Sequence, residues 1–267
     1  MSGAKKPKAP PMSAWPRRPR LVAGNWKMHK TAVEAAALAS EVAAGAREVG
    51  CALAICPPFT ALHAVAPILE RTPIMMGAQN LHPEPQGAFT GEISAPMLLA
   101  LGIRCVIVGH SERRHGMGED DALVARKLRA ALRHGLMPIV CVGETLAERE
   151  REDTDLVLAG QIEACFAGLP AAEAAACVVA YEPVWAIGTG EVATPQQAAA
   201  AHRVIRATLE QGAGKAAAQV MTVLYGGSVS PQNAAALFAE EELDGALVGG
   251  ASLVAASFLG IAAAARG

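Results

Sequence analysis

The amino-acid sequence predicts a single (β/α)8 barrel, in which eight parallel strands alternate with outer helices. The length of 267 residues fits the roughly 250 residues that such a barrel needs. Eight short apolar runs recur along the chain, and each is followed by a longer stretch of helix-forming residues. Near-continuous apolar strands covered by helices are typical of a parallel sheet that is buried on both faces.

The apolar runs are the predicted strands. An open, doubly wound sheet is the structural alternative, but no G-x-G-x-x-G follows the first run, so a dinucleotide-binding fold lacks its main sequence support. The predicted strands are Leu21–Gly24, Ala52–Cys56, Ile74–Ala78, Cys105–Gly109, Pro138–Val142, Val178–Tyr181, Val220–Tyr225 and Ala246–Val248.

Residues typical of helix ends separate these runs. Thr145 with Glu148 predicts a capping box, and so does Thr194-Pro195 with Gln197. Ser230-Pro231 predicts the start of another helix. A further helix is predicted to begin in an acidic turn and to end in a basic turn before a glycine, in agreement with the helix dipole. The residues concerned are Glu119, Asp120, Asp121, Arg129, Arg133, His134 and Gly135.

Charge divides the chain into two predicted parts, an extension at residues 1–20 and a barrel at residues 21–267. The extension carries six basic residues, five prolines and no acid. Without those six, 17 basic residues face 25 acidic ones, a net charge of −8. Such a body is a poor binder of nucleic acid, and we expect a small anionic substrate instead.

The extension itself has no apolar core of the kind found in secretory signals. We interpret it as a disordered tail, or as a start placed upstream of the alternative Met12. A targeting or interaction arm is the other interpretation. We see no domain boundary beyond it.

Six cysteines are present without C-x-x-C spacing, and Cys56, Cys105, Cys141 and Cys177 lie in or beside apolar runs. They are predicted to be buried, reduced thiols, as in a cytosolic protein.

Residues 245–265 are uncharged and long enough for a membrane span. Their Ala, Gly and Ser content predicts a short strand and a helix instead, so no membrane partner is expected.

Active sites of such barrels form where the strands end, so polar residues after apolar runs are candidates for chemistry. Asn25 and Lys27 follow the first run, where Lys27 could equally be a solvated side chain beside a packed Trp26. His110 follows the fourth run, ahead of a polar segment that includes Glu112. It could also be a core histidine, and no second ligand at suitable spacing suggests a metal.

Glu182 follows the sixth run and precedes the segment from Pro183 to Gly190. A structural carboxylate paired with a cation is the alternative interpretation. The segment contains Val184, Trp185 and Ile187 between its ends, and a loop of that content predicts a lid that closes over a ligand.

Paired glycines follow the last two runs and have no side chains to block a ligand. Gly226-Gly227 follows the seventh run, and Gly249-Gly250 follows the eighth. Backbone N–H groups there could hold a phosphate, which is a recurrent site in these barrels. Together the candidates indicate proton transfer between adjacent carbons of a small phosphorylated substrate. No cofactor and no metal are expected.

At these same residues the chain resembles the triosephosphate isomerase family, from Leu21 to the C-terminus. The resemblance rests on GNWKM, GHSERR, AYEPVWAIGTG, YGGSV and LVGGASL in this order. It implies a cytoplasmic enzyme of glycolysis and gluconeogenesis that interconverts dihydroxyacetone phosphate and glyceraldehyde 3-phosphate. Another sugar-phosphate isomerase or epimerase, or a silent phosphate-binding barrel, remains the alternative.

The resemblance also implies residue roles. Glu182 corresponds to the catalytic base, His110 to a neutral electrophile and Lys27 to the lysine that stabilises the oxyanion. Asn25 corresponds to a residue that shapes the pocket, and Glu112 to a carboxylate of the same network. The donors of backbone N–H groups to the phosphate correspond to Gly188, Ser228, Gly249 and Gly250.

Two features differ from the family pattern, the basic extension and the lid hinge at Glu191-Val192-Ala193.

The loop after the third run, from Ala78 to Ser94, is long and carries Phe89 and Thr90. From its residues alone it is either a mobile excursion or an interface. The family resemblance implies a homodimer in which Thr90 meets the partner's active-site loop.

Overall fold

The computed structural model describes residues 18–189 and 191–265, and these form a closed barrel of eight parallel strands in sequential order. The predicted fold class is confirmed, and the open-sheet alternative is wrong because the first strand pairs with the eighth, Leu21 opposite Gly245. The strands are β1 (Leu21–Asn25), β2 (Ala52–Cys56), β3 (Met75–Ala78), β4 (Cys105–Val108), β5 (Met137–Val142), β6 (Val178–Tyr181), β7 (Thr222–Tyr225) and β8 (Gly245–Val248).

The helices surround this barrel. They are α1 (Ala32–Gly45), α2 (Phe59–Leu69), α3 (Ala95–Ala100), α4 (Ser111–Gly116), α5 (Asp121–Arg133), α6 (Leu146–Glu150), α7 (Thr154–Phe166), α8 (Ala171–Ala174), α9 (Pro195–Ala213), α10 (Lys215–Val220), α11 (Ala234–Phe238) and α12 (Ala255–Ala264). Short 3-10 segments at Val184–Ala186 and Gly250–Leu253 follow β6 and β8.

The predicted helix ends are confirmed at four positions. Both capping boxes form, since Thr145 accepts the Glu148 N–H and Thr194 accepts the Gln197 N–H. Asp120 caps α5, and Gly135 follows that helix with φ of 73°. A residue other than glycine is strained at that dihedral angle.

Five predicted strand limits differ from the observed ones by a single residue, and two predicted boundaries were wrong by more than one residue. Val220 ends α10, and β7 begins only at Thr222, because a β-branched apolar residue suits a helix end as well as a strand. The helix predicted at Ser230 begins at Ala234. A turn precedes it, in which the Ser230 N–H donates to the Asn233 side chain at 2.8 Å.

Alternation along each strand divides the core into a barrel interior and a layer between strands and helices. The barrel interior contains twelve buried side chains, and Leu21 and Ala23 are two of them. Val22, which lies between them in sequence, packs under the helices. Cys56, Cys105 and Cys141 belong to the interior, and all six cysteines are unpaired. A Cβ on Gly77 would lie 2.5 Å from the Cys56 sulfur, so this crowded interior has no room for a side chain at position 77.

The uncharged segment at the C-terminal end forms β8, a 3-10 turn and α12, as predicted. Within the described part of the chain, no helix is long and apolar enough to span a membrane.

Candidate active site

Residues from five strand ends line one cleft of about 320 Å3 at the carboxyl end of the barrel. The fold brings them together because parallel strands in a barrel all end at the same rim. Of the site residues predicted from the sequence, the cleft is lined by Asn25, Lys27, His110, Glu182, Gly188, Ser228, Gly249 and Gly250. Glu112, also predicted, is not one of the lining residues, but its carboxylate accepts a hydrogen bond from the Lys27 ammonium.

Glu182 is buried at the end of β6, and both of its carboxylate oxygens have partners. Oε1 lies 2.8 Å from Nε2 of His110, and Oε2 accepts the backbone N–H of Ser111 at 2.7 Å. Its side chain is only 2% exposed. The polar segment after β4, which supplies His110, therefore also holds the Glu182 carboxylate.

The pKa of Glu182 is lowered in this arrangement. Burial opposes its charge, but the interaction with His110 and the Ser111 N–H outweighs burial. Glu182 is therefore ionised at neutral pH, despite lying in a dry part of the cleft.

The two nitrogens of His110 face different partners. Nδ1 accepts the backbone N–H of Glu112 at 3.3 Å, so the proton of the neutral ring belongs on Nε2, which faces Glu182. Burial opposes charge on the ring, but Glu182 and, to a smaller extent, Glu112 outweigh burial and raise the pKa of His110. These two carboxylates thus determine how readily this imidazole is protonated.

Lys27 enters the cleft from the loop after β1. Its ammonium lies 2.5 Å from Oε1 of Glu112, and its side chain is 25% exposed. Its backbone has φ of 51°, and the Lys27 N–H donates to the Asn25 side chain at 3.0 Å. Lys27 therefore lines the cleft and is paired with Glu112, while Trp26 beside it is fully buried.

Gln79, which follows β3, is a residue that the sequence interpretation missed. Its amide donates to the carbonyls of Lys27 at 2.8 Å and Cys56 at 2.9 Å. It thereby ties the loop after β1 to the end of β2. Its position as a polar residue after an apolar run was the signal that could have identified it.

The predicted phosphate end of the cleft combines three loops. Gly188 has φ of 71°, which favours glycine, and Gly249-Gly250 opens the 3-10 segment after β8. The Ser228 hydroxyl donates to the Ala186 carbonyl at 3.1 Å, which joins the loop after β7 to the segment after β6.

Gly226 and Gly227 were predicted to be glycine so that a ligand can approach the backbone. Close packing of neighbouring side chains is a second reason. A Cβ on Gly226 would lie 2.9 Å from Cγ of Glu182, and a Cβ on Gly227 would lie 2.2 Å from the Tyr225 hydroxyl. These glycines leave room for neighbouring side chains, in addition to lining the cleft.

The segment predicted as a lid is partly packed. Trp185 donates its indole N–H to Glu144 at 2.9 Å, and the Arg149 guanidinium lies 4.4 Å above its ring. Val184 and Ile187 are half-buried, whereas Gly188 and Thr189 are exposed. Gly190, the predicted end of the lid, lies outside the described residues.

Glu144, after β5, is a second residue that the sequence interpretation missed. It is fully buried, and it accepts hydrogen bonds from Trp185 and from the Tyr181 hydroxyl, the latter at 3.1 Å. Like Gln79, it is a polar residue shortly after a strand.

The loop from Ala78 to Ser94 carries Phe89 and Thr90 at its exposed tip. Phe89 is 43% exposed, and its ring centroid lies 4.0 Å from that of His82. His82, from the same loop, therefore covers one side of the Phe89 ring.

The last residues of the predicted extension contact the opposite end of the barrel. Arg18 donates to the Asp244 carboxylate and the Glu241 carbonyl, both at 2.9 Å. Residues 1–17 lie outside the described part, so the character of the extension stays a prediction.

Among residues 18–189 and 191–265, no three His, Cys, Asp or Glu side chains are placed to hold a metal.

A closed barrel with a buried carboxylate, an imidazole and a lysine converging at its carboxyl rim defines a (β/α)8-barrel enzyme. A sequence model described as Triosephosphate isomerase matches residues 20–265. Two proteins named triosephosphate isomerase, from Chloroflexus aurantiacus and from a Roseiflexus species, are 54% and 52% identical to the chain. These alignments cover 90% and 91% of this chain, and 97% and 96% of the relatives. The chain belongs to the triosephosphate isomerase family.

Proposed function

We propose that this chain interconverts dihydroxyacetone phosphate and D-glyceraldehyde 3-phosphate, by moving a proton between adjacent carbons through an enediolate. The observation that carries the proposal is the 2.8 Å contact between Glu182 and His110, in the same cleft as Lys27. The relatives named triosephosphate isomerase support it. The reaction belongs to glycolysis and gluconeogenesis.

Glu182 acts as the base in this proposal. Its lowered pKa keeps it ionised at neutral pH, so it is ready to accept a proton. Both oxygens are occupied by His110 and the Ser111 N–H, so the carboxylate must leave one of them to reach a substrate carbon. Gly226 has no Cβ that would obstruct Glu182.

His110 and Lys27 stabilise the negative charge that develops on the substrate oxygens. A fixed N–H donor and a cation in a desolvated cleft favour an enediolate strongly. The Glu112 N–H at Nδ1 supports a neutral ring with its donor at Nε2. Once Glu182 moves to the substrate, the larger of the two carboxylate effects that raise the pKa of His110 is reduced, and only Glu112 stays beside the ring. Asn25 and Glu112 orient Lys27 through its backbone and its ammonium.

The backbone N–H groups of Gly188, Ser228, Gly249 and Gly250 bind the phosphate. Glycines permit the close approach of a dianion to the backbone. Closure of the segment from Pro183 to Gly190 excludes water, because an exposed enediolate phosphate can eliminate its phosphate. Proton transfer by these groups requires neither a metal nor a cofactor.

We further propose a cytoplasmic homodimer in which Thr90 of each subunit approaches the Asn25–Lys27 loop of the other. Support comes from the exposed tip at Phe89 and Thr90 and from Met28, which is 94% exposed beside Lys27. A methionine exposed to that degree on an active-site loop is consistent with a covered interface.

A coupled assay for glyceraldehyde 3-phosphate formed from dihydroxyacetone phosphate tests the function. We expect turnover with the triose phosphate and little with pentose or hexose phosphates. Turnover of a larger sugar phosphate in preference would favour another isomerase or epimerase. Binding of triose phosphate without turnover would favour a silent barrel.

A further inference from the structure

Arg114 is the fourth of the six residues of α4, and its side chain folds back toward the ends of β4 and β5. Its Nε donates to the Gly109 carbonyl at 2.8 Å, and one terminal nitrogen donates to the Cys141 carbonyl at 3.2 Å. The other terminal nitrogen bonds the Asp121 carboxylate at 2.6 Å. Only 9% of the side chain is exposed. One guanidinium therefore joins the ends of β4 and β5.

The Gly109 carbonyl is the peptide oxygen directly before His110. Gly109 has φ of 67°, so the chain turns sharply between β4 and the catalytic loop. A Cβ on Gly109 would lie 2.8 Å from a Val124 methyl group and 3.2 Å from the Arg114 guanidinium. The turn is therefore packed against α5 and bonded to Arg114, which fixes the orientation of this peptide.

The same residue closes a short ring of contacts around His110. The Arg114 backbone N–H donates to the His110 carbonyl at 3.0 Å, while its side chain binds the preceding carbonyl. This ring of contacts includes Ser111 and Glu112, whose backbone N–H groups bond to the candidate catalytic side chains. The Ser111 N–H binds Glu182, and the Glu112 N–H binds Nδ1 of His110.

We propose that Arg114 is a positioning residue for the reaction. Its guanidinium holds the Gly109–Glu112 segment in place, so that His110 and Glu182 keep their alignment. The inference rests on the proposed function and adds a residue that does not line the cleft. Asp121 supplies the charge that a buried guanidinium requires. A misplacement of about 1 Å in catalytic groups can cost roughly 10²-fold in rate.

Arg129 provides a matched control on α5. Its guanidinium also donates to backbone carbonyls, those of Ala125, Cys165 and Ala167, but none of them belongs to a strand end of the cleft. Arg129→Lys therefore removes the same kind of interaction without changing the catalytic loop. Lysine keeps the charge in both variants but cannot reproduce a planar fork.

The experiment compares Arg114→Lys with Arg129→Lys and the unchanged chain. We expect Arg114→Lys to lower kcat about 10- to 100-fold with KM within about threefold, because alignment is lost while the phosphate site remains. Arg129→Lys is expected to keep kcat within about twofold. Equal kcat losses in the two variants, once each is corrected for its folded fraction, would overturn the proposal.

A second readout reports on the histidine directly. In nitrogen NMR spectra of the unliganded protein, the His110 ring should show Nδ1 accepting and Nε2 protonated. Arg114→Lys should shift the Nδ1 resonance, while Arg129→Lys should not. An unchanged resonance in Arg114→Lys contradicts the proposal. Because this spectrum needs no turnover, failure of the isomerase assay in the unchanged chain is a separate result.

Asp121→Ala keeps the test decisive if Arg114→Lys does not fold. It leaves Arg114 in place but removes the acceptor that holds its terminal nitrogen. We expect the same shift at His110 with a smaller loss of kcat. Wild-type kcat together with an unchanged His110 resonance in folded Asp121→Ala would refute the proposal.

Discussion

Glu182 and Ser111 are joined by a 2.7 Å hydrogen bond from the Ser111 N–H to the Glu182 carboxylate. This bond holds the proposed base beside the loop that follows β4. Part of its stabilisation of the carboxylate must be given up when Glu182 reaches a substrate carbon. The bond therefore stabilises the resting position of a group that has to move.

Replacing Glu182 by Gln should remove the base and preserve the packing. We expect kcat to fall by about 10²- to 10⁴-fold, the range for loss of a general base. Binding of an unreactive analogue such as glycerol 3-phosphate should survive. Glu173→Gln, at an exposed position of α8, is the control. Turnover of Glu182→Gln within about threefold of the unchanged chain would refute the assignment.

Lys27→Ala should damage both substrate binding and turnover, because one ammonium serves the bound anion and the developing oxyanion. Lys27→Arg should recover activity only partly, since a guanidinium has a different reach toward Glu112 and the substrate. The exposed Lys215→Ala is the control for loss of a positive charge. Steady-state kinetics with wild-type KM and kcat in both Lys27 variants would exclude a catalytic role.

Deleting Ile187 to Gly190 should leave the barrel folded, because Trp185 and its contact with Glu144 precede the deletion. Isomerisation should slow, and methylglyoxal from phosphate elimination should rise relative to glyceraldehyde 3-phosphate. Both products can be measured in one reaction. A ratio equal to that of the unchanged chain would mean that the segment is not a lid.

Combining Phe89→Glu with Thr90→Arg should place unpaired charge at the proposed subunit contact. We expect a folded monomer whose activity falls well before its helicity does. Light scattering at micromolar concentration measures the assembly. Leu156→Glu, on α7 at a position that is 73% exposed, is the control. A monomeric unchanged chain, or a fully active monomeric variant, would exclude the proposed dimer.

His202 makes a prediction about acid stability. Its Nδ1 lies 3.1 Å from the Glu242 carbonyl, and burial lowers the pKa of His202 to about 3. The unfolded chain binds this proton near pH 6.5, so the free energy of unfolding should fall as pH drops from about 6.5 toward 3. At pH 5 the loss from this group should be about 2 kcal/mol relative to pH 7.5.

Denaturant unfolding of the unchanged chain and of His202→Gln at both pH values isolates this effect. Glutamine can donate to the same carbonyl but does not titrate. The stability difference between the two proteins should therefore change by about 2 kcal/mol between the two pH values. A difference that is independent of pH would show that His202 does not bind a proton on unfolding.

The sequence by itself determined the order of strands and helices and most of the cleft. Apolar runs such as Ala52–Cys56 and Val178–Tyr181 have the observed strand limits, because parallel strands buried on both faces leave a continuous signal. Polar residues after those runs identified Lys27, His110 and Glu182, since a barrel gathers its strand ends at one rim. Capping boxes were equally local and therefore predictable.

Tertiary structure alone decided which groups meet across the cleft. The Glu182 contact with the Ser111 N–H joins residues 71 positions apart, and Gln79 reaches Lys27 across 52 positions. The Val220 boundary also depended on packing, because the residue suits either element locally. Gly226 was predicted for its freedom toward a ligand, but its other requirement is space beside Glu182. Hydrogen bonds and steric limits of this kind depend on distances between strands, which residue order along one strand does not encode.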